Sequence, residues 1–369
     1  MRKLCIIYNT APRYREAIFR AIDAKFDCDW YFGHTKSDIK EMDTTVLKNV
    51  KYYKTLGNPS RFYFKLGVLK LLFTKKYQAY FMLADIRSLT DWVFYFLLTT
   101  LFKSKRLYLW THGWYGKESG MFGKMKLWLY NKADGTFVYG NHARELLIKE
   151  GVPAEKLFTI HNSLHYDQQK ELRGKLSESS LYIDHFGNNH PVLFFVGRLT
   201  KVKMLDMLID AVAILKNRGE NYNIVLVGDG TEKDSLRNYA IEKGLLDQIW
   251  FYGQCYDETV NAELIYNADL CVSPGNVGLT AMHSMVFGTP VISHNEFKWQ
   301  MPEFEAIIPN KTGDFYEYNS VCSLADTISA WFSNNKDKRS EVRENCFREI
   351  DNNWTPEFQM KVINKNLKF

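Results

Sequence analysis

The sequence predicts an α/β protein with two doubly wound, parallel-sheet domains. The chain has 369 residues, which is long for a single hydrophobic core. Short apolar runs alternate with helical patterns in both halves, and a polar segment separates the two series. Alternating strand and helix signals are typical of parallel sheets that are covered by helices on both faces.

The first domain is expected over residues 1–165. It opens with an apolar run at Lys3–Tyr8, and helical periodicity follows over Tyr14–Ala24. The apolar part of MRKLCIIYNTAP is too short for a secretory signal, and no stretch reaches the roughly 18–20 apolar residues that span a bilayer. The further predicted strands are Asp29–Phe32, Ala79–Leu83, Arg106–Trp110, Thr136–Tyr139 and Leu157–Ile160.

The second domain is expected over residues 191–340, after a polar linker at 166–190 and before a helical tail at 341–369. The helix after Lys203 repeats apolar residues on one face, which is amphipathic spacing. Two such domains are expected to face each other across a central ligand cleft at the carboxyl ends of their strands. The predicted strands are Val192–Val196, Asn223–Val227, Ile249–Tyr252, Leu270–Ser273 and Pro290–Ser293.

Composition indicates a globular, cytoplasmic protein. Hydrophobic residues make up 46% and charged residues 24% of the chain, and the net charge of +6 does not by itself indicate nucleic-acid binding. The six cysteines are scattered without a CxxC pair, which predicts buried thiols in a reducing compartment.

Two cations follow the strand at Val192–Val196 in the segment VGRLTKVK. Arg198 offers a planar fork of donors and Lys203 a point charge, and both could neutralise a diphosphate. The alternative is that the strand ends at a Gly197 turn and both cations face water.

A turn and helix with the sequence SPGNVGLTAMHSMVFGTPVIS form the second motif. Pro274, Gly275 and Gly278 predict a tight turn, and Leu279 begins a helix that ends near Gly288. Free amides and a partial positive charge at the helix N-terminus suit an anion. The alternative is an ordinary crossover in which the glycines serve packing.

These motifs resemble the donor-binding half of group 1 glycosyltransferases, the retaining, family 4-like enzymes of bacterial polysaccharide assembly, which have the GT-B fold. The resemblance extends from FVYGNHARELLIKEGVPAEKLFTIHNSL to MPEF and NKTGDFYE, and covers most of residues 137–316. It implies a metal-independent hexosyltransferase without a cofactor, which uses a nucleotide diphosphate-sugar. The acceptor would be a glycan or lipid-linked glycan of lipopolysaccharide or capsule, at the cytoplasmic face of the membrane.

The resemblance also assigns residues. Arg198, Lys203 and His112, in the loop THGWYG, would be catalytic; for His112 the alternative is a loop histidine with a local backbone partner. Arg13, Tyr14, Arg15 and Gly113 would lie on the acceptor side.

Family members carry two glutamates, one for the transferred sugar and one for the ribose, at the positions of Gly275 and His283. Here both glutamates are absent, and we expect His283 to bond a ribose hydroxyl, unless it simply packs against Val291. The remaining donor-binding residues would be Gly197, Asp229, Asn276, Val277, Gly278, Leu279 and Thr280.

Two other features remain open. Asp27–Cys28–Asp29 spells DxD, but it lies far from the donor half, so we expect no metal there. Residues 58–80 mix basic and aromatic side chains, and no acidic residue lies between Asp43 and Asp85. This stretch could contact an anionic membrane, form a core-facing helix whose lysines reach outward, or bind nucleic acid, which nothing else in the sequence supports.

For the chain as a whole, the alternative functions are a nucleotide-sugar epimerase and a nucleotide-sugar-binding module without turnover.

Overall fold

The computed structural model describes residues 3–33 and 40–368. The chain divides into two compact units, Met1–His165 with Thr355–Phe369, and Tyr166–Trp354. Each unit is built on one parallel sheet with helices in its crossover connections. Within the described ranges, none of the helices combines the length and apolar character that a membrane crossing demands.

The first unit contains a seven-stranded parallel sheet in the order β3-β2-β1-β6-β7-β8-β9. The sheet strands are β1 (Lys3–Tyr8), β2 (Cys28–Gly33), β3 (Val50–Tyr53), β6 (Tyr77–Leu83), β7 (Arg106–Thr111), β8 (Gly135–Val138) and β9 (Leu157–Thr159). A separate antiparallel hairpin pairs β4 (Thr55–Gly57) with β5 (Tyr63–Lys65). The helices of this unit are α1 (Glu16–Lys25), α2 (Leu89–Thr100), α3 (Gly120–Lys132), α4 (Asn141–Lys149) and, from the end of the chain, α13 (Pro356–Asn366).

The second unit contains a six-stranded parallel sheet in the order β12-β11-β10-β13-β14-β15. Its strands are β10 (Val192–Val196), β11 (Asn223–Val227), β12 (Ile249–Gly253), β13 (Leu270–Val272), β14 (Val291–His294) and β15 (Gly313–Tyr316). Its helices are α5 (Tyr166–Arg173), α6 (Leu181–Phe186), α7 (Leu205–Asn217), α8 (Lys233–Glu242), α9 (Glu258–Asn267), α10 (Leu279–Val286), α11 (Val321–Asn335) and α12 (Arg339–Asn353).

The predicted linker at 166–190 is instead part of the second unit. It forms α5 and α6, and Tyr182 is buried with its hydroxyl donating to the Leu264 carbonyl oxygen at 2.6 Å. Arg173 forms an ion pair with Asp351 at 2.8 Å. The polar composition did not predict these helices, because a few long side chains hold the segment in place and no apolar stripe does.

The predicted tail at 341–369 is not one element. α12 packs on α10 in the second unit, whereas α13 packs on α1 in the first. The break lies at Thr355, whose side chain caps α13 by accepting from the Phe358 amide. Gln359 donates to the His161 carbonyl oxygen at 2.8 Å, which fixes α13 to the first unit.

The basic stretch at 58–80 is not a helix. It contains β5, a 3-10 segment at Val68–Phe73 and the start of β6. Gly57 and Gly67 have φ values of 105° and 83°, which most other residues avoid, and these glycines turn the chain at both sides of β5. Lys65 does not reach outward; it is buried and forms an ion pair with Asp91 of α2 at 2.6 Å.

Candidate functional site

The carboxyl ends of β10 and β13 lie side by side in the second sheet. The strand order reverses between them, because β10 is followed in the chain by β11 on one side and β13 pairs with it on the other. Such a switch point leaves a crevice outside the strand ends where ligands bind in open α/β sheets. The two motifs singled out in the sequence, residues 197–203 and 273–280, follow these two strands directly.

The loop after β10 runs against the loop after β11. The Gly197 amide donates to the Val227 carbonyl oxygen at 2.9 Å, and the Leu199 amide donates to the Asp229 carbonyl oxygen at 2.9 Å. A Cβ atom on Gly228 would lie 1.8 Å from the Gly197 carbonyl oxygen. A side chain at Gly228 would therefore push apart the backbone that presents Arg198.

The loop after β13 runs against the 3-10 turn at Lys201–Lys203. The Gly275 amide donates to the Lys203 carbonyl oxygen at 2.9 Å, and a Cβ on Gly275 would lie 1.9 Å from the Val202 carbonyl oxygen. The position that resembles the family's first glutamate has no space for a side chain. Gly275 therefore serves close backbone packing and can contribute only its backbone to a ligand.

Lys203 points into the same loop. Its ammonium donates to the Asn276 carbonyl oxygen at 2.6 Å and to Asn276 Oδ1 at 2.9 Å. Burial lowers the pKa of Lys203 to about 8, with Arg198 adding to the lowering and Glu303 opposing it. Lys203 and Asn276 are therefore in contact, and both the backbone and the side-chain oxygen of Asn276 accept hydrogen bonds from the Lys203 ammonium.

Arg198 is exposed and, within the described residues, its guanidinium has no hydrogen-bond or ion-pair partner. Two neighbouring cations, neither of which forms an ion pair among the described residues, create a local positive field that suits a polyanion. α10 begins beside them. Its N-cap Gly278 has a φ of 52°, and a Cβ there would come within 4.0 Å of Lys203 Nζ.

Buried polar side chains brace the turn that leads into α10. Gln300 accepts from the Val277 amide at 2.9 Å, and the Tyr316 hydroxyl donates to the Pro274 carbonyl oxygen at 2.6 Å. Thr280, one residue after Leu279, donates to the Val196 carbonyl oxygen at 2.8 Å, so the first turn of α10 is tied to the end of β10. The start of the helix is therefore held rigidly next to both cations.

His283 lies one turn into α10 and does not simply pack against Val291. Its Nε2 atom lies 3.0 Å from Glu258 Oε1 at the start of α9, and Gln169 Nε2 donates to the same oxygen at 2.7 Å. The sequence reasoning missed Glu258. Asp257 caps α9 and Glu258 is its first residue, a pattern that indicates the start of a helix but not the contact with His283.

Asp229 lies on the loop after β11. Its carboxylate accepts from the Gly230 amide at 2.7 Å and pairs with Lys233 at 3.3 Å. The Gly230 amide and the Lys233 side chain lower the pKa of Asp229. This exposed carboxylate borders the crevice without contacting Arg198 or Lys203.

His112 belongs to the first unit, at the carboxyl end of β7. Its ring lies 4.9 Å from that of Tyr139. Burial lowers the pKa of His112 to about 4, and Arg15 and Lys126 act in the same direction, so the imidazole is neutral at pH 7. Gly113 has a φ of 80°, and a Cβ there would come within 3.0 Å of Val138 Cγ1, which gives this glycine a packing role.

Arg13, Tyr14 and Arg15, three of the four residues expected on the acceptor side, have different environments. Arg13 is exposed and Tyr14 is half-buried, whereas Arg15 is only 4% exposed. The Arg15 guanidinium lies over the rings of Trp110 and Tyr139, 4.9 and 5.0 Å from their centroids, and donates to the Tyr139 hydroxyl. Arg15 therefore supports the aromatic wall beside His112 from within the unit.

The DxD letters at Asp27–Cys28–Asp29 fall at the start of β2. Burial opposes ionisation of Asp29, but hydrogen bonds from Lys3 and Lys76 outweigh it and set the pKa at about 2. Asp29 is 1% exposed, so its carboxylate is committed to these lysines. In the part of the chain that the structure describes, His, Cys, Asp and Glu side chains form no group of three or more suited to a metal ion.

Comparison with known proteins agrees with the fold. Residues 184–348 match the model of the family described as glycosyl transferases group 1. The chain is 26% identical over 168 residues to the alpha-D-kanosaminyltransferase of Streptomyces kanamyceticus, which covers 44% of this chain and 43% of that protein. The chain thus spans less than half the length of the curated relatives that it matches.

Among solved structures, HepE of Anabaena in complex with UDP superposes with a TM-score of 0.72 at 18% identity, and covers 99% of both chains. The lipopolysaccharide outer core galactosyltransferase WaaB, in its apo form, superposes with a TM-score of 0.70 at 14% identity, again over 99% of both chains. These likenesses show the GT-B fold, with its two Rossmann-like parallel-sheet domains. Residues 184–348, which include the switch point of the second sheet, are similar to the group 1 glycosyl transferases.

Proposed function

We propose that this chain transfers a hexose from a nucleotide diphosphate-sugar to a glycan or lipid-linked glycan acceptor, with retention of configuration. The observation that carries the proposal is the pair Arg198 and Lys203, held at the sheet's switch point beside the start of α10. HepE was solved with UDP, and WaaB is named a galactosyltransferase of the lipopolysaccharide core, which supports a nucleotide-sugar donor and a glycan acceptor.

In this proposal the bond between the sugar anomeric carbon and the diphosphate oxygen breaks, and its electron pair goes to the diphosphate. An acceptor hydroxyl oxygen forms the new bond to the anomeric carbon, and its proton leaves with the diphosphate. Arg198 and Lys203 stabilise the negative charge that develops there, and the first amides of α10 add hydrogen bonds. These fixed cations would replace a divalent metal at the leaving group. The donor and acceptor would be met in the cytoplasm, at the inner face of the membrane.

The neighbourhood of His283 is proposed to hold the ribose. Glu258 brings a carboxylate to within 3.0 Å of His283 Nε2 from a different helix. A carboxylate accepts hydrogen bonds from ribose hydroxyls, and an imidazole can donate or accept one. Glu258 would thus supply the acidic acceptor that position 283 lacks.

A second candidate function is nucleotide-sugar binding without turnover, which the packing of Gly275 favours, because this position cannot carry a carboxylate for the sugar. Two assays on one preparation of the protein distinguish these functions. A thermal-shift screen with UDP, GDP and their sugars detects binding, and ligand at about 100 times its dissociation constant raises stability by about 2.7 kcal/mol. Release of nucleoside diphosphate from the best donor then detects turnover, and binding without release favours the second function.

The cations are tested by Arg198→Ala and Lys203→Ala, with Lys216→Ala at the far end of α7 as the control. Each charge-assisted bond to phosphate contributes about 1.5–3 kcal/mol, so either variant should lose about tenfold or more in donor turnover. Unchanged turnover in both variants, at wild-type melting temperature, would refute the assignment.

A further inference from the structure

The first unit exposes an apolar helix face. α2 buries Phe94, Tyr95 and Leu98 against the sheet, yet the opposite side of the same helix carries Val93 and Phe96, both exposed. A surface helix of a globular protein normally turns polar residues outward. The outer face of α2 therefore has a composition suited to an apolar or interfacial environment.

Neighbouring elements extend this face. Leu56 and Phe64 oppose each other across the β4–β5 hairpin and are both exposed. The hairpin packs against α2, and the Phe62 ring at its turn lies 6.4 Å from that of Phe122 at the start of α3, in a stacked arrangement. We call this surface the hairpin–α2 face: the exposed side chains of residues 56–66, 89–96 and 121–122.

Charge is distributed very unevenly between this region and the remainder of the chain. Residues 44–133 contain sixteen Lys and Arg but three Asp and Glu, a net charge of +13. The rest of the chain contains 32 Lys and Arg and 39 Asp and Glu, a net charge of −7, so the overall value of +6 conceals a strong asymmetry.

The three acidic residues of this region are all neutralised within the unit. Asp91 pairs with buried Lys65 at 2.6 Å, Asp85 pairs with Arg87 at 3.2 Å, and Glu118 pairs with Lys126 at 2.7 Å. None of the three is an exposed side chain. The exposed cations of residues 44–133 thus face solvent without exposed acids from the same residues, and they include Lys54, Arg61, Lys70, Lys103 and Lys124.

We propose that the hairpin–α2 face docks this protein on an anionic lipid bilayer. Aromatic and aliphatic side chains on a folded surface insert at the level of the headgroups, and surrounding Lys and Arg attract anionic lipid. A nucleic acid would engage the cations but leave the outward Phe64 and Phe96 without a role. The proposal does not depend on the donor chemistry, and it moves the lipid contact from the 58–80 segment alone to a surface shared with α2 and α3.

The test is co-sedimentation of the full chain with phosphatidylcholine vesicles that contain or lack phosphatidylglycerol. The wild type should bind the anionic vesicles and bind the neutral ones weakly. The double variant Phe64→Glu, Phe96→Glu should lower the partition coefficient about tenfold or more, because it replaces inserting rings with charge. Ile241→Glu is the matched control, since Ile241 and Phe96 are both 56% exposed and Ile241 lies on α8 of the second unit.

The contribution of the exposed cations to lipid binding is tested with Lys70→Glu. The control is Lys361→Glu, because Lys361 is also exposed. Lys70→Glu should weaken binding about tenfold at low salt and less at high salt. Melting temperature checks folding, and the nucleotide-induced thermal shift checks the second unit separately. Wild-type binding by the Phe64 and Phe96 variant, no binding of the wild type to anionic vesicles, or binding to duplex DNA alone would each overturn the proposal.

Discussion

The Lys203 ammonium donates to the Asn276 carbonyl oxygen at 2.6 Å, which ties the cation that follows β10 to the loop that follows β13. The two motifs are separated by more than seventy positions in the chain, but their contact makes them one structural element. A change in the charge of Lys203 is therefore expected to alter both the electrostatic field at the switch point and the position of the loop.

The first prediction concerns pH. The pKa of Lys203 is lowered by burial to about 8, so the ammonium is present below this pH and is lost as the pH rises through it. Donor kcat/KM, which reports groups of the free enzyme, should fall above about pH 8. Lys203→Arg should move this fall to higher pH because guanidinium keeps its proton. Identical profiles for the two proteins would show that Lys203 does not titrate in the reaction.

The second prediction concerns Gly275. A Cβ at this position would lie 1.9 Å from the Val202 carbonyl oxygen, so Gly275→Ala should displace the loop and the 3-10 turn. We expect a lower melting temperature and loss of the nucleotide-induced thermal shift. Gly275→Glu should not restore a family-like carboxylate and should behave at least as badly. A glutamate variant with higher turnover than the wild type would contradict this interpretation of the packing.

The third prediction concerns the contact between His283 and Glu258. Glu258→Gln removes the negative charge and keeps the shape, so it should weaken nucleotide binding by about 1–2 kcal/mol, the scale of one lost hydrogen bond. His283→Ala should weaken binding less if Glu258 is the main acceptor. Isothermal titration with the nucleoside diphosphate and with the free base distinguishes ribose contacts from a general loss of structure. Unchanged affinity in both variants would remove this cluster from the donor site.

The fourth prediction concerns metal removal. Asp29 is buried and committed to Lys3 and Lys76, and Arg198 with Lys203 can stabilise the leaving diphosphate. Donor turnover should therefore persist after dialysis against EDTA. Loss of turnover that manganese or magnesium restores would show that a divalent ion takes part.

The fifth prediction concerns the buried ion pair in the first unit. Lys65→Met leaves the Asp91 carboxylate buried without its cation, and breaking such a pair typically costs about 3–5 kcal/mol. The double change Lys65→Met, Asp91→Leu should recover much of the loss in chemical denaturation. A single variant as stable as the wild type would mean that the pair contributes little.

Much of the fold could be predicted from local patterns. Val192–Val196 is a continuous apolar run, Asn223–Val227 is apolar after its first residue, and the structure contains strands with these same bounds. β3 was missed because it lies at the edge of its sheet, with Lys51 and Tyr52 exposed, so it lacks the apolar run of a central strand. β15, also at an edge, is short and half polar.

The motifs after β10 and β13 could be recognised from sequence because glycines and cations directly follow strands. The contacts that each of these residues makes in the folded protein could not be predicted from sequence. The collision that excludes a side chain at Gly275 depends on a backbone oxygen more than seventy residues away. Glu258 joins His283 only because α9 and α10 begin at the same edge of the sheet, and no local pattern reports that neighbourhood.

The first unit is discontinuous in the chain, because α13 returns to it after the second unit is complete. Ile363 and Leu367 fill the same core as Ile18 and Trp30, and the Tyr108 hydroxyl donates to the Lys368 carbonyl oxygen at 2.8 Å. During synthesis α13 must emerge from the ribosome before this core can close. The second unit can therefore finish folding while the first still lacks part of its interior, and a fragment that stops at His165 would leave that apolar surface open.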